Sequence, residues 1–118
     1  MKKIAILTCL NSNRVCTGAA CLKAMNERKK AFSVYQEQEV ELMAFMHCNG
    51  CGTEPEEDKG LLEKIDCLEK IGVETVHVGI CGMKKDKGYP EKIWECPTIT
   101  KIVEMIEKRG ISVIRGTH

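Results

Sequence analysis

Aromatic side chains are scarce in this sequence: one Trp, two Tyr and two Phe among 118 residues. A surface that stacks nucleobases needs more of them. An excess of one charge is lacking too. Eighteen Lys and Arg face 17 Asp and Glu, with no long run of either sign. Neither nucleic acid nor an anionic membrane is therefore expected as a partner. No segment approaches the ~18 consecutive apolar residues that a membrane span requires. The start of the chain, MKKIAILTCLNS, imitates a secretory leader, but its apolar part is only residues 4–10. Asn11 follows with no small-residue cleavage site, so the stretch reads as a buried first strand. Glu54, Glu56, Glu57 and Asp58 form no spaced acid/base pair, which leaves no hydrolytic role to assign. There is no internal repeat, linker or low-complexity stretch, so residues 1–118 are expected to be one domain.

What the sequence does have is cysteine: Cys9, Cys16, Cys21, Cys48, Cys51, Cys67, Cys81 and Cys96. Hydrophobic residues make up 43% and charged residues 30%, the balance of a chain that folds around a core. An even cysteine count in a small chain can mean a disulfide framework, but that needs an oxidising compartment. Without a leader the protein is expected in the cytoplasm, where thiols stay reduced and cysteine clusters serve metal or redox chemistry.

Short apolar runs alternate with amphipathic stretches. Strands are expected at residues 4–9 (IAILTC), 40–47 (VELMAFMH), 75–81 (TVHVGIC) and 111–115 (ISVIR). Helices are expected at 19–35, with Leu22, Ala24 and Met25 inward, at 59–71, with Leu61, Ile65, Leu68 and Gly72 inward, and at 97–109. Pro97 opens the last of these and Gly110 closes it. Residues 82–96, including MKKDKGYPEK, read as a solvated loop whose lysines could otherwise cover an anion. The alternation β-α-β-α-β-α-β predicts an α/β fold: a small, doubly wound parallel sheet of four strands in order 2-1-3-4. The architecture is three-layered, flavodoxin-like or Rossmann-like.

This topology sorts the cysteines. Cys9, Cys48 and Cys81 end the first three strands, and Cys51 lies three residues beyond Cys48. Cys16 and Cys21 fall in the first strand-to-helix connection and first helical turn, and Cys96 precedes Pro97. In a parallel α/β sheet these places share the carboxyl edge, where such folds bind ligands. His118, after the fourth strand, reaches the same edge. Only Cys67, in mid-helix and off its apolar face, stands apart. His47 and His77 read as packed or surface histidines rather than ligands.

In these motifs the chain resembles the CGGC-domain family, small proteins with a central C-G-G-C. The matching features are Cys48-Asn49-Gly50-Cys51 after a hydrophobic strand, Cys9 … Cys16-Thr-Gly-Ala-Ala-Cys21, Cys81, Cys96-Pro97 and the terminal Gly116-Thr117-His118. Asn49 replaces the first central glycine, a position where asparagine tolerates a left-handed backbone. The resemblance covers essentially the whole chain and implies zinc binding, without an established reaction.

Thiolates are soft ligands that select zinc, copper(I) or iron–sulfur clusters. With strands ~4.8 Å apart, the ends of strands two and four lie ~14 Å from one another. A zinc with bonds of ~2.3 Å to sulfur cannot then take both Cys48 and His118. The expected primary set is Cys9, Cys48 and Cys51 with Cys16 or Cys21, while Cys81, Cys96 and His118 form a second site or a flank. Cys16, Cys21, Cys81 and Cys96 are equally candidates to hold an iron–sulfur cluster, and Cys21 would place it near a helix N-terminus. The expected function is thus metal binding, by zinc or an iron–sulfur cluster, in a redox or metal-handling role. The alternative is a thiol–disulfide oxidoreductase with Cys48 as nucleophile and Cys51 as resolving thiol. Against it, the stretch CGTEPEEDKG separates the motif from the next helix, and such chemistry does not need the other rim cysteines.

Overall fold

A computed structural model describes residues 1–52, 54–85 and 93–118. Four parallel strands form the main sheet: β1 (Lys2–Thr8), β2 (Val40–His47), β3 (Thr75–Val78) and β6 (Ser112–Arg115). Their spatial order is β2-β1-β3-β6, so the first strand lies between the second and third, as expected for a doubly wound sheet. Burial follows position. Every residue of central β3 is buried, and so are the last five of β1, whereas edge strands β2 and β6 are mostly half-exposed.

Alternation along the strands builds a core on each face. Ala5, Leu7, Val76 and Val78 pack against α2 (Lys59–Lys70) through Leu61, Ile65 and Leu68, and against α3 (Pro97–Glu107) through Ile99, Ile102, Val103 and Ile106. Ile4 and Ile6 face the other way, onto Cys21 and Ala24 of α1 (Ala19–Glu27) and onto Phe32 and Tyr35. That is a three-layer α/β fold. Among the described residues no helix is long and apolar enough to cross a membrane.

Three expectations are corrected. The first helix ends at Glu27, not at residue 35. Arg28 turns left-handed (φ 55°), the Lys29 N–H donates to the Ala24 carbonyl, and Lys30–Tyr35 continues as a 3-10 helix. The inward face of α1 is Cys21 and Ala24 with Met25 packed partly buried beside them, while Leu22 is exposed. Finally, residues 82–96 are not all loop: β4 (Met83–Lys85) and β5 (Ile93–Glu95) pair antiparallel. The part of that expected loop at 86–92 lies outside the described residues.

The strand ends are level. Thr8 pairs with His47, Leu7 with Val78, and Val78 with Arg115. Everything that follows these residues emerges at one edge.

A cysteine-lined rim at the carboxyl edge

Because β1 is central, the chain leaving it at residues 9–11 runs between the loops that follow β2 and β3. Three successive residues there donate hydrogen bonds to sulfur. The Cys9 N–H reaches Cys81 Sγ at 3.2 Å, the Leu10 N–H reaches Cys48 Sγ at 3.4 Å, and Asn11 Nδ2 reaches Cys51 Sγ at 3.7 Å. Cys81 stands three residues past β3, in the turn Ile80–Gly82, yet its sulfur folds back toward Cys9. Cys81, which the sequence places with Cys96 and His118 in a second site or a flank, thus has its sulfur within hydrogen-bond reach of the Cys9 backbone. A fourth donor, the Gly18 N–H, meets Cys16 Sγ at 3.3 Å. Sulfur is a weak hydrogen-bond acceptor as a thiol and a better one as a thiolate.

The remaining candidates lie around this centre. Cys21, buried in the first turn of α1, is 3.1 Å from the hydroxyl of fully buried Thr117. Burial pushes the Cys21 thiol above its ordinary value. The Thr117 hydrogen bond opposes that rise, and the proximity of Cys81 and Cys16 adds to it. Cys96, half-buried, precedes α3, and its N–H bonds the Gly82 carbonyl. His118 is exposed beyond β6. Cys67 is exposed on α2, away from the rim. His47 uses Nδ1 on the Cys48 carbonyl, and His77 is wholly buried.

The loop between Cys48 and Cys51 is fastened to α2. Asn49 Nδ2 donates to Asp58 Oδ2 at 3.0 Å, while Asp58 Oδ1 caps α2 by accepting the Leu61 N–H at 3.1 Å. Lys64 Nζ reaches the His47 carbonyl at 2.9 Å and Asn49 Oδ1 at 2.7 Å. The Leu61 N–H and then Asn49 hold the Asp58 carboxyl below its usual range. Two sequence arguments change here. Asn49 has no positive φ; Gly50 (φ 100°) takes the left-handed turn, and the asparagine side chain ties the loop down. Nor is the motif held away from the helix, because Asn49 meets Asp58, the N-cap of α2, and Lys64 in the helix itself. Asp58→Ala should therefore do two things. Loss of the cap should lower the Tm by about 3–5 °C, and loss of the Asn49 contact should raise the alkylation rate of Cys48 as the loop loosens. Unchanged Cys48 reactivity in a destabilised variant would mean the latch does not hold the loop.

Exposure differs sharply within the motif: Cys48 is 4% exposed, and Cys51 is open to solvent. Cys16, Cys21, Cys48, Cys51, Cys67, Cys81 and Cys96 stand as free thiols. Among the described residues, no three Cys, His, Asp or Glu side chains are grouped closely enough to hold one metal ion. The donor chemistry fits a thiophilic metal, since sulfurs from two loops, those after β2 and β3, meet hydrogen-bond donors at the exit of β1. The side chains do not stand as a closed ligand shell, so no coordination geometry is assigned.

Fold and rim together define a cysteine-rich, three-layer α/β domain. The family model for the CGGC domain matches residues 3–118, and the chain belongs to that family. A similar protein is an uncharacterized one from Methanocaldococcus jannaschii, 31% identical over 128 residues, spanning 98% of this chain and 86% of the relative. No solved structure matches the chain.

Proposed function

We propose that the rim binds a thiophilic metal, zinc or an iron–sulfur cluster, in a cytoplasmic protein with a redox or metal-handling role. The observation behind this reading is the run of donors at Cys9, Leu10 and Asn11 directed at Cys81, Cys48 and Cys51. N–H groups on metal-bound thiolates stabilise their charge and tune a cluster's potential. Cys9, Cys48, Cys51 and Cys81 are the proposed ligands, with Cys16, Cys21, Cys96 and His118 flanking. Elemental analysis and visible absorption of anaerobically purified protein test it. Stoichiometric zinc in colourless protein, or iron with acid-labile sulfide and broad absorption, supports the reading. Protein that is reduced, folded and metal-free, and that takes up neither on reconstitution, refutes it.

A second reading has a specific observation in its favour. The Cys48–Cys51 loop is fastened to the first turns of α2, as a dithiol active site would be. In that case the roles expected from the sequence exchange: exposed Cys51 is the attacking thiol and buried Cys48 resolves. A reversible Cys48–Cys51 disulfide in metal-free protein, formed with an otherwise intact fold, would distinguish it.

A further inference from the structure

We propose that two copies of this chain join through the free edge of β2, antiparallel about a two-fold axis, so that their sheets become one. The contact uses no cysteine side chain and does not rest on the metal reading. β2 ends the sheet and, among the described residues, pairs with β1 alone. At eight residues it is the longest described strand. It carries one charged side chain, Glu41, and neither Lys nor Pro, the residues that commonly blunt an exposed edge. The opposite edge is different. β6 has four residues, and its Ser112 N–H and the Gly116 N–H after it bind the Glu74 and Val78 carbonyls. Val113 and Arg115 are then the β6 residues turned outward, and Arg115 is a cation.

The backbone of β2 suits a copy of itself. Neighbouring residues in a strand turn their N–H and C=O groups to opposite sides. The Lys2 N–H donates to the Glu39 carbonyl and the Cys48 N–H donates to the Thr8 carbonyl. Residues 39, 41, 46 and 48 therefore turn to β1, and Val40, Leu42, Phe45 and His47 turn outward. An antiparallel copy with Val40 against His47 and Leu42 against Phe45 matches outward groups to outward groups along the full strand. The side chains agree. Val40 and Leu42 pack on the α1 side, and Phe45 lies over Gly18, the N-cap of α1, so closely that a Cβ there would be 3.0 Å from its ring. Residues 42 and 45 of a regular strand would point to opposite faces. They share one here because Ile4 pairs with Leu42 but Ala5 with Ala44, which leaves Met43 as an extra, bulged residue.

This register also places compatible chemistry together. Leu42 meets Phe45 of the second copy twice, covering a ring that is 40% exposed in the single chain. Glu41, exposed and by alternation on the α2 side, comes beside the second copy's His47, where Lys64 Nζ sits on the carbonyl. Acid therefore approaches base on both sides of the axis. Sliding the copy to set Val40 against Leu42 would put Glu41 opposite Glu41, a like-charge pair. One edge supplies both halves of a complementary contact, which is the property of a two-fold interface.

Sedimentation equilibrium of the full chain under reducing conditions, with and without a chelator, tests this. At about 100 µM the mass should approach twice 13.2 kDa in both cases. Phe45→Lys puts a cation into each Leu42 pair and should weaken association roughly tenfold or more. Glu41→Lys, at an exposed position, should weaken it roughly threefold. Trp94→Lys removes an apolar side chain of similar exposure (44%) outside β2 and should associate as the parent does. Amide exchange of the unaltered chain is independent of any folding defect in the variants. The N–H groups of Val40, Leu42, Phe45 and His47 should exchange at least about tenfold more slowly in concentrated than in dilute protein, while those of Val113 and Arg115 do not change. A chain that stays monomeric up to about 1 mM leaves the edge to some other partner and overturns the proposal. So does a dimer that dissociates with chelator, that withstands both β2 variants, or that leaves these four amides unprotected.

Discussion

Replacing His77 with alanine should lower the stability of the protein by about 3–5 kcal/mol. The ring is 0% exposed and stacks on Phe32, with centroids 4.3 Å apart and an interplanar angle of 27°. Its Nδ1 is 3.1 Å from the Gly116 carbonyl, and its Nε2 is 2.8 Å from the Tyr35 hydroxyl. A carbonyl only accepts, so Nδ1 carries the hydrogen, and Nε2 then accepts from the tyrosine. Both ring nitrogens are satisfied in the neutral form. Alanine removes the stack, opens a cavity and takes one hydrogen-bond partner each from the Tyr35 hydroxyl and the Gly116 carbonyl. His77→Phe keeps the ring and loses only the hydrogen bonds, so it should cost about half as much. Urea unfolding of the two variants measures this. A cost below about 1 kcal/mol for His77→Ala would show that the surroundings relax to satisfy both groups.

The same residue gives the stability a pH dependence of known sign. Burial pushes His77 below its ordinary value, and the Gly116 hydrogen bond only partly opposes this. The unfolded chain therefore binds a proton that the folded chain refuses. The contribution is fully present above the unfolded value of about 6.5 and is lost as pH falls below it, by up to about 1.4 kcal/mol per pH unit until the folded value is reached. His77→Phe should remove that slope between pH 7 and 5. The consequence extends to the rim, because the Gly116 carbonyl seats the segment whose Thr117 meets Cys21. His77→Ala should accordingly speed alkylation of Cys21.

How far the sequence reveals this molecule depends on the scale of the signal. Strands and crossovers are written in runs such as IAILTC and in the spacing of Leu61, Ile65 and Leu68, and the order of the sheet follows from handedness. Once the sheet is known, the sorting of cysteines to one edge follows from their positions at strand ends. The stop after Glu27 is not visible, because Arg28 takes the left-handed position that glycine or asparagine would announce. Strands of three residues, as in β4 and β5, are too short for any period to register. Least legible is the rim's internal order. Two of its three central donors are backbone N–H groups of Cys9 and Leu10, which every sequence contains, and only a folded chain can aim them. The Asn49 latch could have been suspected from Asp58, an N-cap residue three positions before Leu61, but its partner nine residues upstream could not.

Under the proposed metal reading, Cys48→Ser should abolish metal retention. Occupancy per chain is expected to fall at least about tenfold, because a neutral hydroxyl is a far poorer ligand for a soft metal than a thiolate. Cys51→Ser should behave likewise, and so should Cys9→Ser, although Cys9 follows another strand. A ligand that binds only the folded chain adds RT ln(1 + [L]/Kd) to its stability, so the variants should also lose the metal-dependent part of the Tm. Side-chain replacement and metal loss are separable. Compared metal-free, Cys48→Ser should melt close to the parent, since serine fills most of the same 4%-exposed space and its oxygen can accept the Leu10 N–H. Compared after anaerobic reconstitution, the two should diverge. Cys67→Ser, at an exposed position on α2, should match the parent in both states. In the dithiol reading the pattern is different: Cys9→Ser is mild, chelators leave the Tm unchanged, and only Cys48 and Cys51 matter to a disulfide-exchange assay. Metal content by elemental analysis and Tm in both states, for the four single variants, decide between them. Full occupancy in both Cys48→Ser and Cys51→Ser would remove this motif from the ligand set.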